Sequence, residues 1–235
     1  MNKQELQPFI GILALDTSFP RIRGDVGCPD SYPFSSKVVI VNGADSPAIV
    51  RDGEPDGALL ERFIAAAIEL ERNGACAIVS TCGFLVSAQR KIADAVKIPV
   101  MLSGLSLYPL VAASCPGRVG ILTASRTALG PNALAAAGID PKQVAIAGMD
   151  DASDFAETFL ATKQRQNKSF DRDAMEQAVC NAALDLQKSE PGLSAILLEC
   201  GNLPPYAPAI RKVTGLPVFH LLDAAALLMA ANAKD

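Results

Sequence analysis

Short apolar runs recur along the chain at positions 9–15, 38–41, 75–80, 99–102, 118–123, 143–147 and 194–198. Runs of this length without polar alternation are typical of strands buried on both faces. Between them the period changes to that of a helix. Leu59, Leu60, Phe63, Ile64, Ala67 and Leu70 fall on one stripe, Glu61, Arg62, Glu69 and Arg72 lie off it, and Asn73-Gly74 supplies a stop. Met175, Val179, Ala182 and Leu186 repeat at the same spacing before Pro191-Gly192. Strands alternating with helices predict an α/β fold with mostly parallel sheets covered on both faces. The polar stretch 163–169 reads as a solvated loop or helix end.

The pattern repeats within the chain. Cys76-Ala-Ile-Val-Ser-Thr-Cys82-Gly-Phe-Leu85 aligns with Ser194-Ala-Ile-Leu-Leu-Glu-Cys200-Gly-Asn-Leu203 at an offset of 118, from position 82 to 200. The same offset sets Ile98-Pro-Val100 against Leu216-Pro-Val218, while Gly11-Ile-Leu13 meets Gly120-Ile-Leu122 at an offset of 109. Three matches in one order, each on a predicted strand or its end, predict two related halves, residues 1–103 and 104–221. The halves are expected to face each other across a pseudo-twofold axis with a cleft between them. A closing helix over 222–235 is expected to pack on the first half.

Composition narrows the function classes. Lys and Arg number 21 against 25 Asp and Glu, and half the residues are apolar, the balance of a compact folded protein. A formal charge of −4 with no basic run leaves no electrostatic footprint for nucleic acid or acidic lipid. Asp16, Asn42, Glu199 and Asp223 interrupt every stretch that would approach the roughly 18 apolar residues of a membrane span. Met1-Asn-Lys-Gln-Glu5 has none of the features of a leader. A cytoplasmic protein with a small-molecule partner, and neither nucleic acid nor membrane, is the expectation.

Six cysteines, at 28, 76, 82, 115, 180 and 200, are expected to stay reduced in a chain long enough to be held together by burial. No Cys-x-x-Cys pair occurs and His220 is the one histidine, so neither a metal site nor most His-based triads are expected. Glycine-rich phosphate loops are missing, and no cofactor is expected. Cysteine and carboxylate chemistry remains.

The repeat gives two of the cysteines a geometry. Cys82 and Cys200 each follow a predicted strand and precede a glycine, and ligands of open α/β sheets collect beyond the carboxyl ends of strands. Two halves about a pseudo-twofold would set the thiols on opposite sides of one ligand. Gly83 and Gly201 would let backbone N–H groups approach a carboxylate. Opposed thiols suit inversion at an acidic carbon: a thiolate, its pKa lowered by a helix N-terminus, takes a proton from one face while a thiol supplies one to the other. Asp16, after the first strand, would receive a proton from a thiol, hold it in place, or cap a turn. Glu199 ranks lower, since neighbours on a strand point to opposite faces. Thr81, Thr123, Ser125 and Thr127 are caps or cleft-edge residues, with Asp16 and Ser125 in corresponding places. Cys76, Cys115 and Cys180 read as buried apolar packing, Cys28 as a surface thiol and His220 as a satisfied strand-end residue. The roles of Arg21 and Arg23 stay open.

Duplicated α/β halves with Ser80-Thr-Cys82-Gly-Phe84 and Leu198-Glu-Cys200-Gly-Asn202 resemble the aspartate/glutamate racemase superfamily. That group includes hydantoin racemases, maleate isomerases and arylmalonate decarboxylases. The resemblance implies a cofactor-independent racemase or epimerase with Cys82 and Cys200 as the proton-transferring pair. It implies substrate contacts from Asp16, Thr17, Thr81, Gly83, Phe84, Thr123, Ser125, Thr127, Gly201 and Asn202, and a homodimer or higher homo-oligomer. The amino-acid racemases carry Asn-Thr after the first cysteine and Thr-His or Thr-Glu after the second. Gly83-Phe84 and Gly201-Asn202 here imply a less polar acid, cyclic or aryl-bearing. A thiolate-dependent cis–trans isomerase, an arylmalonate-type decarboxylase and a carboxylate-binding protein without turnover are the alternatives.

Overall fold

A computed structural model describes residues 8–232. Residues 1–5, read for a leader, and the last three positions of the predicted closing helix lie outside the described residues. Among the described residues eight strands form two all-parallel sheets: β1 (Phe9–Leu15), β2 (Ser36–Val41), β3 (Ala75–Ser80) and β4 (Val100–Met101) in the first, and β5 (Arg118–Thr123), β6 (Val144–Gly148), β7 (Leu193–Leu198) and β8 (Val218–Phe219) in the second. The strand orders are β2-β1-β3-β4 and β6-β5-β7-β8, the same topology twice. Even the irregularities repeat, with a register shift at Phe9/Ile10 between β1 and β3 and at Arg118/Val119 between β5 and β7. The offsets of 109 and 118 are therefore the offsets of superposable strands.

Parallel pairing forces a crossover between successive strands, and helices supply it. In α1 (Gly57–Arg72) the Asp56 carboxylate accepts from Leu59 N–H, and the chain leaves through Gly74 at φ 92°. Its apolar stripe brings Leu70 against Gly11 of β1, where a Cβ would collide. The second half repeats this contact: Leu186 of α3 (Arg172–Ser189) packs on Gly120 of β5. Three further helices are α2 (Tyr108–Ser114), α4 (Ala207–Thr214) and α5 (Leu221–Ala231). The last follows β8 of the second sheet yet lies against β1, β3 and β4 of the first. Buried side chains of both sheets form one continuous core, from Ile12 and Val79 to Ile121 and Ile196.

Strand limits differ slightly from the periodicity. β2 gains Ser36 and Lys37, which sit on an edge strand and need not be apolar. β4 shrinks to two residues, and Leu216-Pro-Val218 marks the start of β8, absent from the run of predicted strands. The stretch 163–169 is a correction: it is not merely solvated. Gln166 is buried and accepts from Ser18 N–H at 2.8 Å, and Lys163 pairs with Asp16, so this segment straps the second half over the first.

Candidate active site

The carboxyl ends of β1, β3, β5 and β7 converge where the halves meet, and there they enclose a narrow cavity of about 20 Å³. Leu15, Ala124, Thr81-Cys82 and Glu199-Cys200 supply its floor. Phe19, Phe84, Phe159 and Leu160 make the wall largely apolar. Phe159 belongs to a π-helical turn, Ala156–Leu160, and meets Phe19 edge to face at 4.8 Å. Such turns are frequent at functional sites because they redirect one side chain from an otherwise regular helix.

Both thiols line this cavity and are nearly sealed, Cys82 at 8% and Cys200 at 7% exposure. They are brought together by a crossing of two chain segments. A Cβ at Gly83 would overlap the carbonyl of Glu199, and one at Gly201 would overlap the carbonyl of Thr81. Each glycine thus lies against the residue preceding the other cysteine. This gives Gly83 and Gly201 a packing reason for lacking a side chain, in place of the expected contact with a carboxylate, and neither lines the cavity.

A polar chain fixes the Cys200 side. Arg21 lies over the Phe19 ring at 4.8 Å and donates to Asp25 Oδ1 at 2.8 Å and to Thr17 Oγ1 at 3.2 Å. Asp25 is 2% exposed and accepts at 2.6 Å from Asn202 Nδ2 through its second oxygen. That bond orients the Asn202 amide, so its Oδ1 faces Cys200 Sγ at 3.5 Å and can only accept. That contact favours the thiol form of Cys200, while the Asn202 N–H donates to the same sulfur at 3.5 Å. Arg21, left open by the sequence, is the cation of the site.

Burial pushes both thiol pKa values up, and the Glu199 carboxyl opposes ionisation of each. This corrects the expectation of a thiol lowered by a helix N-terminus: desolvation outweighs it. Two influences favour thiolate at Cys82, the Phe84 N–H and the Arg21 guanidinium. At Cys200 the only favourable one is the Asn202 N–H, with Cys82 and Asp25 as further adverse neighbours.

Glu199 is the residue that sequence reasoning undervalued. The alternation rule fails because β7 ends at Leu198 and the chain turns there, so Glu199 and Cys200 both reach the cavity. Its Oε2 accepts from Thr123 Oγ1 at 2.8 Å and from Ala124 N–H at 3.4 Å, while Oε1 has no partner among the described residues. At 1% exposure, burial pushes its pKa up to about 7. A charged residue directly before a cysteine, within an otherwise apolar repeat, was the available signal.

Of the other expected contacts, Thr17, Thr81, Phe84 and Asn202 line the cavity and Thr123 stands behind Glu199. Asp16, Ser125 and Thr127 do not line it. Asp16 turns to Lys163 and Gly43 N–H, whereas Ser125 and Thr127 donate to Asp150. These are ties across the ends of β1–β2 and β5–β6, one in each half. His220 stands at the N-terminus of α5 with its backbone N–H donating to Asp223 at 2.8 Å, but its buried Nδ1 has no hydrogen-bond partner among the described residues, which corrects the expectation of a satisfied residue. All six cysteines are free, with Cys28 half-buried in a turn.

The sequence profile of the Asp/Glu/Hydantoin racemase family matches residues 28–229. The chain belongs to this family. Solved structures share the fold: allantoin racemase from Klebsiella pneumoniae at a TM-score of 0.65, with 14% identity over 95% of this chain and 86% of that one. Unliganded arylmalonate decarboxylase gives a TM-score of 0.59, with 16% identity over 97% of this chain and 95% of that one. Among curated relatives of this racemase-family chain, a dimethylsulfoniopropionate lyase from Durusdinium sp. clade D is 27% identical over 92% of the chain and 72% of its own length. Dimethylsulfoniopropionate lyase 3 from Emiliania huxleyi (strain CCMP1516) is 29% identical over 95% of the chain. The chain spans 59% of that relative's length. The family is one of enzymes, and these curated relatives are named as lyases.

Proposed function

We propose that this chain is a cofactor-independent thiol enzyme that removes the proton beside the carboxylate of a small acid and expels a substituent from the next carbon. A sulfonium propionate is the substrate class. The carrying observation is the cavity itself, which joins two thiols, one guanidinium and an aromatic wall where the two halves meet. Arg21 would take the carboxylate, as guanidinium groups do with a planar two-oxygen acceptor. Phe84 and Phe159 line the cavity, and aromatic rings attract a methylated cation.

Cys82 is the base in this reading, since Arg21 and the Phe84 N–H favour its thiolate. Its sulfur lone pair takes the α-proton, the C–H electron pair becomes the carbon–carbon π bond, and the C–S pair departs on sulfur. From dimethylsulfoniopropionate the products are dimethyl sulfide and acrylate, and the proton on Cys82 returns to water. The curated relatives support this outcome. The test is release of dimethyl sulfide by purified protein: production lost in Cys82→Ser and retained in part in Cys200→Ser supports the proposal, and no production from any sulfonium propionate overturns it.

Inversion is the second reading, favoured by the placement of Cys82 and Cys200 at equivalent positions of the two halves. It shares the first step and differs in the second, where Cys200 delivers its proton to the opposite face of the carbanion. It requires both thiols.

A further inference from the structure

A cavity of about 20 Å³ holds roughly one water molecule, so a small acid cannot reach the thiols in this arrangement. Part of the enclosure has to move. The halves themselves are poorly placed to do so. They share one continuous core, and the crossing at Gly83 and Gly201 interlocks their two cysteine turns. Parting them as rigid bodies would bring that apolar core into water.

The cover over the thiols is built differently. Phe159 and Leu160 close the cavity from the second half, and the chain from there to Arg172 contains neither helix nor strand. Phe155 and Phe170, which pack on Phe159, belong to the same stretch, while Phe19 meets it from the first half. Polar ties pin this cover to the first half. Ser18 donates from its N–H to Gln166 Oε1 at 2.8 Å and from Oγ to the Lys163 carbonyl at 2.6 Å. Gln166 Nε2 donates to Ser46 Oγ at 3.3 Å, and the Lys163 ammonium pairs with Asp16. Gln166 is buried, whereas solvent reaches the Lys163–Asp16 pair.

We propose that residues 156–166 are a gate over Cys82 and Cys200, latched to the first half by Gln166 and Lys163, and that substrate enters when the latch opens. Opening replaces the latch bonds with bonds to water, a modest net cost for each, and leaves the core intact. Asp16 thereby has a task at the site although it stays out of the cavity. The gate serves elimination and inversion alike and rests only on the two thiols being the reacting groups.

The test is alkylation of the full chain by iodoacetamide without substrate at constant pH, followed at each cysteine by peptide mass spectrometry. Gln166→Leu keeps the bulk and removes the latch bonds of that side chain, and Lys163→Met removes the ion pair. Both are expected to speed alkylation of Cys82 and Cys200, by about tenfold in Gln166→Leu. Loss of a cation would by itself disfavour thiolates, so acceleration in Lys163→Met reports opening and not a changed field. High salt is expected to accelerate both thiols in wild type and not in Lys163→Met. Cys180, buried in α3 and not lining the cavity, is expected to keep its wild-type rate in both variants and so report an intact fold. Asp52 ties the halves elsewhere, accepting from Ala133 N–H at 2.9 Å and Asn132 Nδ2 at 3.0 Å, and Asp52→Ala is expected to leave all three thiols unchanged. Unchanged cavity thiols in either latch variant, Cys180 accelerating in step with them, or Asp52→Ala exposing them as fully as the latch variants do overturns the inference. The readout needs no turnover, so a failed substrate assignment and a failed gate are told apart.

Discussion

The turn after β3 and the turn after β7 share one backbone plan and differ in their side chains. Each ends an apolar central strand in Cys-Gly, and each glycine packs against the residue before the other cysteine. At the flanking positions the equivalence stops. Thr81 corresponds to Glu199, and its hydroxyl accepts from Leu15 N–H where Glu199 instead presents a free carboxyl oxygen. Phe84 corresponds to Asn202, an apolar wall on one side and an amide whose oxygen favours the protonated thiol on the other. Duplication of the fold provides two thiols at equivalent places, and the residues beside them give each a different acidity. A site can be symmetric in backbone and directional in chemistry.

Substitutions break that comparison to different degrees. Cys82→Ser is expected to lower turnover about a thousandfold, within the usual contribution of a positioned base, whereas Cys200→Ser leaves elimination within about tenfold and abolishes any inversion. Steady-state kinetics of the two variants side by side checks this. Glu199 has the next largest effect, on stability. Its folded pKa, about 7, lies above the ordinary 4.5, so the folded state binds the extra proton between those values. Stability is then fully present below about 4.5 and declines as pH rises through 7, by roughly 3 kcal/mol at 1.36 kcal/mol per pKa unit. Urea titrations across that range should show this slope in wild type and its loss in Glu199→Gln.

Gly83→Ala and Gly201→Ala probe the crossing itself, and each should cost about 1–3 kcal/mol because backbone, not a mobile side chain, stands in the way. Equal losses in the denaturant midpoint would sharpen the symmetry of the two turns. Arg21→Lys has the smallest expected effect. It keeps the charge but loses the fork joining Asp25 to Thr17, and about a tenfold rise in KM with little change in kcat is expected.

Much of the fold was legible because apolar runs at 9–15, 75–80 and 118–123 coincide with β1, β3 and β5. The internal repeat then paired the halves and brought Cys82 and Cys200 forward. What escaped was set by tertiary contact. Asp16 looked like a cleft residue by its position after β1, yet its direction is decided by Lys163, 147 residues away. Glu199 was discounted by a rule for strands, in a place where the strand had ended. Arg21 belongs to a segment between β1 and β2 whose path depends on Asp25 meeting Asn202, 177 residues distant. Local pattern carries no record of such pairings.

The measurement that bears most directly on the account is proton NMR of dimethylsulfoniopropionate incubated with wild type, Cys82→Ser and Cys200→Ser in D₂O. The account predicts that wild type forms acrylate and dimethyl sulfide, that Cys82→Ser forms neither, and that Cys200→Ser still forms both. Product formation by Cys82→Ser at the wild-type rate, or none by wild type, would contradict it.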